Sequence, residues 1–347
     1  MSETKSTKAA KTSKAAKTSK AKTPATLGQT PSTARPKPAR SKSIQARSAK
    51  HETPDTSVHQ GSVRIYQFDG LQGRSEVTLD DGFVALEHKG QESDCWDGMV
   101  RLFSSTRNLK GVSFVGVVPL RFVERTGVKA EAWQKLIERQ TATDVFIMNP
   151  SPSDEALFPN GLSKSYLDFP DLMSLYSKLF KAGGLPEMTA VAPSTCLEMS
   201  MAPYMIASVN FWKAFVAYVE SSWMVHTKML SKEEFKRFTT PFQSPSILQG
   251  ETPRSLFVGR VLPFFLRSEA GRPFRAIKIS LPNPERELNA HLKSLRQLKD
   301  HAVSQQASWL VQAWLNYRNL YLYQVNGKDW CQKHLPAISV PLEKKAS

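Results

Sequence analysis

The sequence is poor in the residues that staple or metallate a small protein. Its 347 residues include three cysteines, Cys95, Cys196 and Cys331, odd in number and far apart. No CxxC or Cys/His spacing among them reads as zinc, so a disulfide framework is excluded and a reduced, cytoplasmic compartment is expected. Long apolar runs are lacking too. None reaches the roughly 20 residues that a bilayer-crossing helix needs. The charged N-terminus has no hydrophobic segment behind it and does not read as a secretory signal. Also missing are GxGxxG after a strand, GxxxxGK[ST], GxSxG and HExxH. Seven histidines are scattered, none paired at i, i+4 with another ligand type.

What is present is an uneven cationic charge. The net charge is +16. Residues 1–60 hold 13 basic side chains against Glu3, Glu52 and Asp55, so most of the excess sits there and the remainder is mildly basic. In this stretch Lys8-Ala-Ala-Lys-Thr-Ser13 repeats as Lys14-Ala-Ala-Lys-Thr-Ser19, and Pro24, Pro31, Pro36 and Pro38 follow. With almost no aliphatic mass to offset its ordering entropy, a segment of this composition is expected to be disordered. It can act as a solubilising extension, or bind nucleic acid or anionic lipid without sequence preference.

Residues 61–335 read as one α/β domain, with residues 336–347 expected to be a flexible end. Val63–Phe68 alternates like a strand, and Phe83–His88 reads as another. Asp94 opens a helix with Trp96, Met99, Val100 and Phe103 on one face; Asp94 and Asp97 suit its positive end. Ser151 to Leu167, rich in Pro, Ser and Gly, reads as a long loop. Asp168 is expected to cap the next helix, which Gly183-Gly184 closes. Tyr204–Ser208 reads as a strand and Asn210 to Met229 as a helix with a core stripe of Phe211, Trp212, Phe215, Tyr218 and Trp223. Ser231-Lys-Glu-Glu234 is a capping box. Arg254 to Arg267 reads as a buried helix bent by Pro263, and Phe274–Ile279 as an edge strand. Two helices finish the fold within residues 281–325; Trp309, Trp314, Tyr317 and Tyr321 on the second could pack inward, rest on a membrane or cover a neighbour.

The central stretch is Val112 to Pro152. An apolar β-branched run, Val112–Val118, leads to Arg121; a charged helix spans about Lys129 to Arg139; a second run, Asp144–Met148, ends on Asn149-Pro150. Strand, helix and strand make a βαβ unit, which places ligands at the carboxyl ends of its strands. If the two strands are neighbours, Arg121 and Asn149 face one hollow. Arg121 could equally form a surface ion pair with Glu124.

Phe114-Val-Gly-Val-Val-Pro-Leu-Arg-Phe122, Glu124-Arg-Thr-Gly127 and Asp144-Val-Phe-Ile-Met-Asn-Pro150 together resemble a family of bacterial glycosyltransferases encoded in polysaccharide gene clusters. Tyr204-Met-Ile-Ala207 with Phe211-Trp212, and Leu256 through Leu266, are similar to that family in the same order. The resemblance covers roughly residues 110–268. It implies a GT-A-like, Rossmann-related mixed sheet and transfer of a sugar from a nucleotide-diphospho-sugar to a surface polysaccharide or lipid-linked acceptor. It also implies a possible Mn or Mg ion, and a place peripheral to the inner membrane. On this reading Arg121 meets the diphosphate bidentately, while Asn149, Ser151 and Tyr204 lie on the donor. Asp94, Asp97 or Glu198 supplies the carboxylate. Pro203 replaces the family's Asn and Gly259 its Glu, so a catalytically inactive relative is an alternative, as is a nucleic-acid-associated protein using its basic tail.

Overall fold

Short β-branched runs build a six-stranded sheet in the order β2–β1–β3–β5–β4–β6. The computed structural model describes residues 62–68, 79–86, 95–104, 109–119, 122–149, 151–185, 192–199, 204–242, 252–279 and 288–338. The strands are β1 (Ser62–Phe68), β2 (Val84–Ala85), β3 (Val112–Pro119), β4 (Val145–Met148), β5 (Met205–Ser208) and β6 (Ala276–Ile279). β1 pairs in parallel with both β2 and β3, and β4 in parallel with β6; β5 is antiparallel to β3 and to β4. The sheet is therefore mixed. At its centre Gly116 pairs with Ile65 on one side and Ile206 on the other. A Cβ there would lie 2.7 Å from the Ile206 side chain and 3.0 Å from that of Ile65, so the two isoleucines fill the space that glycine leaves.

The placement of β5 corrects the expectation that β3 and β4 are neighbours. With strands spaced about 4.8 Å apart, their carboxyl ends stand roughly 10 Å from each other. The expected strand at residues 83–88 is only β2, with residues 87 and 88 outside the described set. Residues 1–61, Asp94, Arg121 and Pro203 also lie outside it.

Helices cover both sheet faces. One face packs against α1 (Cys95–Ser104), α6 (Met173–Ala182), α7 (Val209–Ser222) and α9 (Pro253–Arg267), the other against α2 (Phe122–Thr126) and α3 (Ala130–Arg139). α1 connects β2 to β3 and α2 and α3 connect β3 to β4, two crossovers that step the same way along the strand order and lie on opposite faces. The aromatic stripe of α7 is core, as its periodicity predicts. Phe211, Trp212 and Phe215 are buried, and Phe103 stacks on Trp212 at 5.3 Å. Each such ring contributes on the order of 2–3 kcal/mol by leaving water.

The stretch expected to be a loop is instead two helices, α4 (Pro152–Leu157) and α5 (Gly161–Asp168). Asn160 caps α5, accepting from Ser163 N at 2.9 Å. Asp168 ends that helix and pairs with Lys164 at 2.6 Å; a 3₁₀ turn, Pro170–Leu172, precedes α6. α8 (Lys232–Thr239) carries the capping box read from its sequence, and α9 keeps Pro263 inside it. α10 (Ala290–Ser304) packs on α4 and on α11 (Ser308–Ile338), which is broken at Gly327, where φ is 82°. Trp314 is buried while Trp309 is exposed. Of residues 336–347, expected to be flexible, the first three close α11, where Ile338 is buried and its carbonyl accepts from Arg318 Nη1 at 3.0 Å; residues 339–347 lie outside the described set. Among the described residues no helix is long and apolar enough to cross a membrane.

Candidate functional site

Two places on the carboxyl edge of the parallel strands gather polar side chains. The first lies between β1 and β3, adjacent parallel strands whose onward connections leave in opposite directions. Such a switch point opens a crevice where α/β proteins bind ligands. Phe68 and Pro119 pair there, so both strands end level. Buried Gln67 donates from Nε2 to Asp80 Oδ2 at 2.7 Å and accepts from Asp80 N at 2.8 Å. Asp80 Oδ2 also accepts from Val123 N, at the start of α2, at 3.0 Å. Gln67, Asp80 and the start of α2 are thus tied together where β1 and β3 end.

The second place lies where β4 and β6 end side by side. Ile147 pairs with Lys278, so Lys278 and Asn149, two residues beyond Ile147, project toward the same face. Asn149 is buried. Its Oδ1 accepts from Ser151 N at 2.9 Å, and its Nδ2 has no hydrogen-bond partner among the described residues. Lys278 donates to the Cys196 carbonyl at 2.6 Å and contacts the carboxylate of Glu155, a fully buried residue of α4. Arg296 Nε approaches the other Glu155 oxygen at 3.2 Å. Asp300 accepts from Cys196 N at 2.7 Å, and buried Lys299 donates to the Phe158 carbonyl at 3.0 Å. Burial pushes the Lys278 ammonium down toward about 6, with Arg296 and Lys299 adding to the shift and Asp300 opposing it. Burial likewise lowers Lys299 and raises the Cys196 thiol to about 11. The cluster thus gathers Lys278, Arg296 and Lys299 around the carboxyl groups of Glu155 and Asp300.

Beside it on α4, burial raises the Asp154 carboxyl to about 6. Lys164 opposes that shift, Asp168 adds to it, and Arg260 opposes it. An acid of that strength exchanges its proton near neutral pH. Asp154 went unnoticed in the sequence because the stretch around it reads as loop. Gln67 and Asp80 were missed because nothing local marks two residues 13 apart as partners.

The residues singled out from the sequence scatter over this edge. Asn149 and Ser151 are bonded to each other. The Tyr204 carbonyl accepts from Met148 N at 2.9 Å, which places it alongside, but its buried ring stacks on Phe122 at 5.7 Å within the α2–α3 core. Asp97 is held by Arg254 of α9 at 2.5 Å. Glu198 accepts from Arg267 through both oxygens, at 2.6 and 2.7 Å, and from Thr195 N at 3.0 Å. Burial alone would raise the Glu198 carboxyl; the Arg267 guanidinium and Thr195 outweigh it and hold the group below its ordinary value. Two of the three carboxylates expected to do chemistry are therefore ion-paired.

Gly259 faces an apolar void of about 20 Å³, room for one water, walled by Trp96, Met99, Met205 and Trp212. Among the described residues no group of three or more His, Cys, Asp and Glu side chains converges to hold a metal ion. Comparison with family models, curated proteins and solved structures finds no match for this chain.

Proposed function

We propose that this chain is a GT-A-like glycosyltransferase that takes a sugar from a nucleotide-diphospho-sugar to a surface polysaccharide or lipid-linked acceptor. The observation that carries this reading is the switch point between β1 and β3, with Gln67, Asp80 and the start of α2 fixed at its mouth. The nucleotide lies in that crevice. Arg121, two residues beyond β3 in the sequence, meets the diphosphate there. The sugar extends past the start of β5 toward Asn149, whose Nδ2, buried and without a partner among the described residues, donates to a sugar hydroxyl once the donor opens a way to it. The roughly 10 Å between the β3 and β4 ends suits one extended ligand better than a single group held from both sides. The leaving diphosphate is neutralised by basic side chains, and Asp154 is the carboxyl best placed in strength to exchange a proton.

Calorimetric titration with UDP-, GDP- and dTDP-sugars, with and without manganese, tests this. One donor is expected to bind, and Arg121→Ala to weaken it by roughly tenfold or more, the loss of a charge-assisted bidentate contact. Absence of binding by every donor under both conditions overturns the reading.

A further inference from the structure

A different surface carries cations and large apolar side chains together. It is built from a 3₁₀ turn, Met224–Met229, and from α8. Met229 is 66 % exposed, and Val225 and Phe235 are each 43 % exposed. Large apolar groups left in water at this density mark a contact surface. A groove of about 890 Å³ runs beside them, and Lys228, Lys232, Phe235 and Lys236 line it with no carboxylate among the described residues of its wall.

The charges of α8 are sorted by face. Lys232, Phe235, Lys236 and Thr239 follow the i, i+3, i+4, i+7 spacing of one helical face and all line the groove. Glu233 lines a neighbouring hollow with Asp168, Asp171 and Arg237, and Lys236 lines both that hollow and the groove. Glu234 is turned away, bonded to Lys178 and, at 3.0 Å, to the Ser231 backbone N–H. The groove side therefore presents ammonium groups interleaved with an aromatic ring, and the exposed Met229 lies next to Lys228 in the chain.

We infer that this face, residues 224–241, docks on an anionic phospholipid surface. A bilayer interface meets both halves of the chemistry at once. Headgroup phosphates take Lys228, Lys232 and Lys236, as polybasic segments do at an anionic leaflet, while Met229, Val225 and Phe235 enter the boundary of the acyl chains. A nucleic acid backbone would satisfy the lysines and leave Met229 in water. A free phosphate would need neither apolar side chain. The inference is independent of sugar transfer.

The basic N-terminal stretch can hold the protein on any anionic vesicle, so the test reads the face rather than capture. Met229→Cys in the full chain carries an environment-sensitive nitrobenzoxadiazole label, since the native Cys95, Cys196 and Cys331 are buried. Lys135→Cys, exposed on α3 across the sheet, carries the control label. With equimolar phosphatidylglycerol and phosphatidylcholine vesicles, the label at 229 is expected to shift to the blue and brighten while the label at 135 stays unchanged. Replacing Lys228, Lys232 and Lys236 with Gln is expected to abolish the shift even where the tail still holds the protein on vesicles. The inference is overturned if vesicle-bound protein leaves the label at 229 unmoved, or if both labels move alike. A response to inorganic phosphate or duplex DNA without vesicles, or an equal one to pure phosphatidylcholine, also overturns it.

Discussion

At the scale of single residues, Gly259 and Asp154 show how position alters the meaning of a side chain. A Cβ built at Gly259 meets no atom within 4 Å, and the residue lies inside α9, where glycine costs about 1 kcal/mol relative to alanine. Gly259→Ala is expected to stabilise the protein by about that amount, read as a higher urea midpoint with an unchanged slope. Asp154 works through protons. Its carboxyl lies near 3.8 in the unfolded chain and about 6 in the fold, so the folded state binds the proton more tightly. The stability this contributes is complete below about pH 4 and is lost as the pH rises through 6. Two pKa units correspond to roughly 3 kcal/mol, and partial exposure reduces that to about 2. Urea unfolding between pH 4 and 7 is expected to show Asp154→Asn with a flatter profile and the higher stability at pH 7.

At the scale of elements, patterns contained within one segment were readable. The stripe of α7, the Ser231–Glu234 capping box, the apolar face of α1 and the β-branched run of β3 each carry their own signal, and each forms what that signal predicts. α4 and α5 carry none. They have six and eight residues, too short for a period to emerge, and tertiary bonds such as Trp314 Nε1 to the Ala156 carbonyl at 3.0 Å hold them. The candidate site suffered from the same gap. Asp97 and Glu198 were recognised as carboxylates at suggestive places, but their arginine partners lie 157 and 69 residues away. The antiparallel seat of β5 is equally silent, because a four-residue buried strand reads alike in either direction. Gly116 tests the β3 seam directly. Gly116→Ala forces a methyl against Ile65 and Ile206 and is expected to cost about 1–3 kcal/mol, measured by denaturant unfolding. Shortening Ile206 to Val in the same chain should recover part of the loss.

At the scale of the whole molecule, Glu155 joins three elements that are distant in sequence. It reaches from α4 to Lys278 on β6 and Arg296 on α10. Glu155→Gln leaves both cations facing an amide, and breaking a buried ion pair from one side costs about 3–5 kcal/mol. The expected result is a large drop in the denaturation midpoint, with hydrogen exchange speeding up in α4 and α10 before it does in β1 and β3. The seat of β5 also imposes an order of events on synthesis. A ribosome delivers β1, β2 and β3 first, and these can pair as they emerge. β4 follows without a neighbour, because the strand that joins it to them is encoded some 57 residues later, at Met205. Until then a fully apolar ribbon, Val145–Met148, waits with both edges open, so the growing chain passes through an interval in which one of its four completed strands depends on shielding by something other than a neighbouring strand.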